Sequence, residues 1–354
     1  MFNKLRKDFL FILAVAAVFV SLSYAIGFVT NRAPKGVELQ TAFLSGAVPK
    51  VQPTAARVWR TPAFEKTAVL NSTDLRAPAK MGAQNSGNIF VLDWSDLRVK
   101  EFSPDGKLSK AFGEEIGQPD AFINPTGFAM DSSGNLWVSD LKQHRIEVFN
   151  SDGSKRTIKP QTTTYRIAAI GDVMFTMVTP AHSKLFETYD SSGKQLNSFG
   201  EILEDQYNKG IILDGDIVAD AENRGVIYGG RYLGIIGGYD LDGNQRFLVR
   251  TIDNTPQPNV LNVEGKQKVK SDTSRPVLSL SVVDQELYIL SGVHSDGSAG
   301  SGGKVMDVYD KQDGHYLYSW ELPAAGQEAI VVSNYIYIRS DKEVTVWRFK
   351  SNPS

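Results

Sequence analysis

Asp131-Ser132-Ser133-Gly134-Asn135-Leu136-Trp137-Val138-Ser139-Asp140, followed by Arg145-Ile146-Glu147-Val148-Phe149-Asn150-Ser151-Asp152-Gly153, holds two short apolar runs, each bounded by turn residues. A third run, Gly127 to Met130, precedes them. Runs this short, divided by Asp, Asn, Ser and Gly, read as antiparallel strands joined by tight turns, and Asp152-Gly153 supplies the positive backbone angle that a hairpin requires. The central run recurs as Ile89-Phe90-Val91-Leu92-Asp93, Val173-Met174-Phe175, Val226-Ile227-Tyr228, Leu287-Tyr288-Ile289-Leu290 and Tyr335-Ile336-Tyr337-Ile338. Its aromatics, from Phe90 to Tyr337, return every 38 to 60 residues. Self-similarity at that period marks a repeat architecture.

The flanks recur as well. After five of the six copies a strand ends in an aromatic and a glycine turn follows, as at Phe102 to Gly106, Tyr189 to Gly193, Tyr239 to Gly243 and Tyr309 to Gly314. Strands resume at Lys107 to Phe112, Gln195 to Phe199 and Gln245 to Val249, and apolar stretches such as Arg166 to Ile170 and Ala329 to Val332 precede each copy. Each unit is therefore four strands, a to d from the inside outward, and six such units make a six-bladed β-propeller with four-stranded antiparallel blades. The sixth unit has strands a, b and c, ending near Arg348-Phe349, and no fourth follows. A spare N-terminal stretch, Ala56 to Arg60 or Phe64 to Leu70, is expected to close that last blade and remove the open sheet edges of the ring.

The residues that carry the repeat also resemble a known family. The segment from Asn124 to Gly153, with its Asp140, Arg145 and Asp152-Gly153, looks like an NHL repeat, and blade one is similar in Gly87 to Asp93, Arg98-Val99 and Phe102 to Gly106. The other four blades keep the strands and turns but lose most of the Asp and Arg signature. The resemblance implies the six-bladed ring and little about chemistry, because such propellers include binding scaffolds, lyases and lactone hydrolases.

Lys4, Arg6 and Lys7 precede an apolar run from Phe9 to Val29. Those residues, at about 1.5 Å each, match a bilayer core of roughly 30 Å. Residues 1–8 then form a basic cytoplasmic flank and 9–29 a transmembrane signal anchor, with the rest carried across the membrane. The competing reading is a signal peptide cut after Ser23-Tyr24-Ala25, which would leave the chain periplasmic or secreted. Residues 30–53, with Pro34, Pro49 and Pro53, read as a linker, and 54–350 as the propeller. The chain has no cysteine, which excludes disulfides, thiol catalysis and a lipid-modified cysteine, and which favours a bacterial cell envelope. The triplet Asn71-Ser72-Thr73 is a sequon of a kind that also arises by chance. A net charge of −2 gives no electrostatic case for nucleic acid.

In a propeller the b-to-c and d-to-a connections share one face. Here that face is elaborated, through Gly113 to Pro125, Gly200 to Asp216, Ile252 to Arg275 and Ser291 to Lys304, while the opposite face is trimmed to glycine turns. Long loops in a compact domain are uncommon unless they bind something or are disordered. On that face Trp94, Asp120, Asp214, Asp216, Arg231, His294 and Asp296 are the candidate contacts for a ligand or partner; no catalytic residue or metal ligand is assigned. Trp94 suits stacking on a sugar or a partner side chain. Asp93 with Arg98 and Asp140 with Arg145 are expected to tie the b-to-c turns as ion pairs. The glycine-rich segment His294 to Gly303 lacks the ending of a phosphate loop, and Asn254 to Lys270 reads either as a docking segment or as a solvated excursion. Propeller lyases of this kind hold zinc near the central channel, and lactone-hydrolysing propellers hold calcium. His144, His182 and His294 fall on the same face but in blades two, three and five, too spread for a zinc ion whose bonds are about 2.0 to 2.3 Å. Asp120, Asp214 and Asp216 offer oxygens for calcium but lack the rest of such a ligand set. The leading expectation is a membrane-tethered, extracytoplasmic scaffold that binds an envelope protein or ligand without a cofactor; the alternative is a metal-dependent, lactonase-like hydrolase or lyase at the central channel, using Ca or Zn.

Overall fold

The computed structural model describes residues 37–38, 49–70, 73–84, 87–178, 184–203, 209–293, 302–341 and 343–350. The expected anchor at 9–29 and the candidates His294 and Asp296 lie outside the described residues, as does His182. Among the described residues no helix is long and apolar enough to cross a membrane.

Six four-stranded antiparallel sheets form the ring. Blade one runs Pro78–Ala83, Ile89–Asp93, Arg98–Phe102 and Leu108–Phe112. Blade two runs Pro125–Met130, Leu136–Asp140, Arg145–Phe149 and Lys155–Ile158. Blade three is Thr164–Ile170, Val173–Val178, Phe186–Tyr189 and Gln195–Phe199, and blade four is Gly215–Asp220, Gly225–Gly230, Ile235–Asp240 and Gln245–Arg250. Blade five is Ser279–Val283, Glu286–Ser291, Gly303–Asp310 and Tyr316–Gly326. Blade six takes Glu328–Val332, Tyr335–Arg339 and Val344–Phe349 from the C-terminal end and Phe64–Val69 as its outer strand, with Phe64 opposite Phe349. The closing strand is thus the second of the two expected stretches.

The alternation of a strand explains why the b-strand phrase is apolar throughout. Successive side chains point to opposite faces, and in a propeller both faces of a blade are covered. Ile89 and Val91 pack toward blade six, while Phe90 and Leu92 pack toward blade two. Six apolar clusters result among the described residues, one at each junction between neighbouring blades. Phe90, Trp137, Phe175, Tyr228, Tyr288 and Tyr337 are all buried in them, as the repeat predicts. Glycines close the c-to-d turns at φ of +75 to +88°, at Gly106, Gly153, Gly193, Gly243 and Gly314. At Gly243 a Cβ would also lie 2.6 Å from the Phe199 ring, so this turn admits no other residue without a shift.

Two features go beyond the repeat. The segment after blade four folds back as a hairpin, Val260–Val263 with Lys266–Val269, and Val37–Glu38 adds a third strand to it. Glu264-Gly265, both at positive φ, make the hairpin turn. The excursion therefore pairs with the chain's own N-terminal residues. In addition, residues 49–60 run as a strap over the outer strands of blades four and five. Lys50 N donates to Leu248 O (3.0 Å), and Lys50 O accepts from Arg250 N (2.8 Å). The Gln52 amide spans both blades, donating to Arg250 O (2.8 Å) and Gly314 O (3.1 Å) and accepting from Tyr316 N (2.7 Å). Arg57 forms a two-point bond to Asp307 (2.8 and 3.0 Å) and pairs with Asp253. Burial and the neighbouring Asp307 push the Asp253 carboxyl up to about 6, against the pull of Arg57.

Candidate functional site

The a strands of all six blades line a central cavity of about 230 Å³. Each a strand starts on the elaborated face, because the d-to-a loops deliver it there. In four of the six strands a charged residue stands near that mouth of the channel: Lys80, Arg166, Asp216 and Glu328. Deeper in, the wall is apolar, with Met81, Phe128, Ile167, Ile217, Leu280 and Ile330.

Lys80 stands between two carboxylates. It pairs with Asp216 and lies 3.2 Å from Glu328. Glu328 also accepts from Met81 N (3.0 Å) and from Arg339 Nε (3.0 Å). Burial alone would push the Asp216 carboxyl up, but Lys80, Arg166 and Arg231 outweigh it and hold it below the usual carboxylate range. Both acids are thus already engaged by cations of the same chain. Arg166 differs, since among the described residues no carboxylate lies within ion-pair distance of it. Its Nη1 donates to Thr126 O (2.9 Å), its Nη2 donates to the Tyr165 hydroxyl (3.2 Å), and its guanidinium lies 4.1 Å from the Tyr165 ring centre.

Beside the mouth, toward blades three and four, is a larger and mainly apolar cavity of about 510 Å³. Leu141, Tyr165, Met177, Leu185, Ile211 and Tyr232 form its walls, and Asp214 lies at its edge. Ile211 comes from the short helix Lys209–Ile212 in the loop that enters blade four. Arg231 Nε lies 3.0 Å from Asp214 Oδ2, off the line of a hydrogen bond, and Asp214 Oδ1 is buried without a hydrogen-bond partner. Desolvation lowers the pKa of Arg231, but Asp214 and Asp216 raise it further, so the guanidinium is firmly charged.

Of the sequence candidates, Asp214, Asp216 and Arg231 come together here. Asp120 does not. It is an exposed loop residue whose carbonyl accepts from Arg145 Nη2 (2.6 Å), outside the channel. Trp94 is 61% exposed on the b-to-c turn of blade one, on the same face as Ile116 (61%) and Ile123 (53%) in the next loop. The expected Asp–Arg ties are not formed. Asp93 instead accepts from the backbone N–H groups of Arg76, Ala77 and Ser95 and from Lys100 Nζ. Asp140 accepts from Ile123, Asn124, Lys142 and Gln143 N–H groups. Arg98 pairs with Asp96 and Arg145 with Glu147. A buried carboxylate at the end of strand b meets several orphaned amides from two loops, and these outcompete a single guanidinium. His144 is exposed and hydrogen-bonds Thr163 (3.2 Å).

Lys80, Arg166, Tyr165, Tyr232 and Glu328 were not candidates from the sequence. A signal existed for two of them: Lys80 and Arg166 interrupt otherwise apolar inner strands, as in Ala79-Lys80-Met81 and Arg166-Ile167-Ala168. One described group has metal-ligand spacing, with ligand atoms of Asp310, Asp313 and His315 within 4.8 Å of one another. It sits on the c-to-d turn of blade five, on the face opposite the channel mouth, and His315 Nδ1 is already bonded to Asp313 (2.6 Å).

Geometry and topology define a six-bladed β-propeller closed by its own N-terminal strand. The family model described as the NHL repeat matches residues 122–149, in the second blade of this propeller. None of the curated proteins compared with this chain matches it. Among solved structures, it is similar to virginiamycin B lyase from Staphylococcus aureus, at 11% identity and a TM-score of 0.51, covering 81% of this chain and 100% of the lyase. A structure described as a streptogramin B lyase gives the same identity and score, covering 81% and 98%. A Bacteroides fragilis protein described as a candidate exported protein reaches a TM-score of 0.57 at 10% identity, covering 86% of this chain and 99% of that one. At such identities the likeness is one of fold.

Proposed function

We propose that this chain is a membrane-tethered, extracytoplasmic propeller of the bacterial cell envelope that binds another envelope component through its elaborated face. The observation that carries this reading is the state of the channel mouth. Its carboxylates, Asp216 and Glu328, are both engaged by Lys80, and Glu328 also by Arg339. The open space beside them is apolar. That arrangement suits holding a ligand better than activating a water or a metal. The exposed Trp94, Ile116 and Ile123 extend the same face as an apolar surface of the type partners cover. The basic flank of Lys4, Arg6 and Lys7 before Phe9 to Val29 supports delivery of the ring across a membrane, and the charge balance supports a partner other than nucleic acid.

The test is affinity purification of the tagged full-length chain from membranes, followed by mass spectrometry. One defined envelope component should be recovered in near-stoichiometric amount and lost with a Trp94→Ala, Ile123→Ser double variant. Recovery of no component, together with tightly bound metal and turnover of a lactone, would sink this reading in favour of a metal-dependent hydrolase or lyase.

A further inference from the structure

The three-stranded sheet beyond the repeat fixes where the chain enters the ring. Val37–Glu38 lies antiparallel to Val260–Val263, with Val37 opposite Asn262 and Glu38 opposite Leu261, so the chain arrives beside the hairpin tip and runs toward its base. The base is buried, since Val260 belongs to the core between blades three and four, whereas Glu264, Gly265 and Lys266 at the tip are exposed. The hairpin stands on the mouth face, because its Gln267 shares a cavity wall with Leu141 and Tyr232 of two b-to-c turns. Side chains alternate along a strand, so with Gln267 turned to the ring, Lys266 and Lys268 point away from it, and both are exposed.

We propose that the propeller sits with its mouth face toward the membrane, and that the hairpin tip, with Lys266 and Lys268, meets anionic lipid headgroups there. This rests on reading residues 9–29 as an anchor that stays in the bilayer. The apolar run ends at Val29, eight residues before Val37. A link of that length reaches at most about 29 Å when fully extended. The blade strand Gly215–Asp220 has six residues and stands about 20 Å tall, to which the turns and loops at its two ends add. To serve a membrane under the opposite face, the link would have to climb that height, round the outer strand of the blade and still reach the hairpin tip, and it is too short for that path. On the mouth face the same link has length to spare. Glu264 in the turn offsets part of the lysine charge, so the attraction alone is modest, but the tether keeps the tip at high local concentration beside the surface. Trp94, Ile116 and Ile123 share that face, so the component they take would be met at the same membrane.

The chain has no cysteine, so single cysteines can be placed and labelled without further change. Glu264→Cys marks the hairpin tip, Ile116→Cys the mouth face at blade one, and Asp242→Cys the c-to-d turn of blade four on the opposite face; all three positions are exposed. The full chain, with a fluorophore at one of them, is placed in nanodiscs of phosphatidylcholine and phosphatidylglycerol that contain headgroup-spin-labelled lipid, which quenches at short range only. Quenching should be strongest at the Glu264 position, weaker at Ile116 and absent at Asp242. Lys266→Gln and Lys268→Gln should each lower the ratio of docked to undocked tip about fivefold, and discs of phosphatidylcholine alone should lower it further. Quenching at Asp242 equal to that at Glu264, or none at Glu264 while the chain stays in the disc, overturns the orientation and leaves the anchor intact. Quenching at Glu264 that ignores both lysines and lipid charge overturns the headgroup contact. A tip shielded from an aqueous quencher in native membranes but not in pure-lipid discs is covered by a protein instead, which also overturns it. A chain that does not stay with the discs overturns the anchor, and this orientation with it.

Discussion

Blades two and four show the same backbone joint put to two uses. In blade two, Leu141 N donates to Asn124 O (3.0 Å), and in blade four Arg231 N donates to Asp214 O (2.9 Å), so the b-to-c turn clasps the incoming d-to-a loop identically. The residue before the clasp is Asp140 in one and Gly230 in the other, paired respectively with Pro125 and Gly215 of strand a. Asp140 devotes its carboxylate to four backbone N–H groups of the two loops. With glycine there, blade four has no such knot, and its charged groups sit one position away, at Arg231 and Asp214, facing the channel mouth. Where the repeat signature is intact, its polar atoms hold the ring together. Where it has decayed, the equivalent positions are free to present chemistry. Trp94 occupies the position of Arg231 in blade one, its N–H donating to Ala77 O (2.9 Å), and is the exposed side chain there.

That contrast can be broken at several points. Removing residues 54–70 takes away the outer strand of blade six and the Arg57 and Trp59 contacts of the strap; no monomeric folded domain should remain by circular dichroism and size exclusion. Trp137→Ala empties a fully buried site and strips Asp131 of the indole N–H bond (3.0 Å), so denaturant unfolding should show a loss of about 3 to 5 kcal/mol. Asp140→Ala leaves four amides without their acceptor and should cost about 2 to 4 kcal/mol, while Asp214→Ala in blade four should cost clearly less. Equal losses at the two aspartates would erase the distinction.

The strap supplies a pH test of intermediate size. Asp253 is raised to about 6 by burial and by Asp307, from an ordinary value of 3.8. A carboxyl raised on folding binds its proton more tightly in the native state. Its contribution is complete below the unfolded value and is lost as pH rises through about 6. The melting temperature should therefore fall between about pH 4 and pH 7 by an amount worth on the order of 2 kcal/mol, and Asp253→Asn, which keeps an acceptor for Arg57 and Ser291, should flatten that slope. A slope unchanged in the variant would place the titration elsewhere. Smallest of all, Trp94→Ala should alter stability by less than about 0.5 kcal/mol, since the side chain is largely in water, yet weaken recovery of a partner.

The ring was legible because its determinants are local and repeated. Alternating apolar residues on b strands, glycine at each c-to-d turn and the missing outer strand of blade six all lie within short windows. Asp214, Asp216 and Arg231 flank one paired position, Gly215 opposite Gly230, so their nearness too is local. What stayed hidden depends on distance along the chain. Lys80 meets Asp216 across 136 residues and Arg57 meets Asp307 across 250, and no window contains both partners. Asp140 was correctly singled out but given the wrong partner. Arg145 is opposite it in the ladder, whereas the amides that bind it are backbone groups that carry no sequence signature.

The closing strand also sets the order of events in time. Phe64 pairs with Phe349, so the piece that shuts the ring is among the first parts of the domain to be made and its partner among the last. Blades one to five can acquire neighbours as they emerge, but the early strand has no place to settle until blade six exists. Long-range pairing of this kind is slow, because the chain must close a very large loop before any bond rewards it. In the meantime both the strand and the exposed edge of blade six remain available to other chains. A refolding experiment should show most secondary structure formed early and a late, slow phase in which Trp59 and Trp347 report ring closure, with aggregation competing only during that interval.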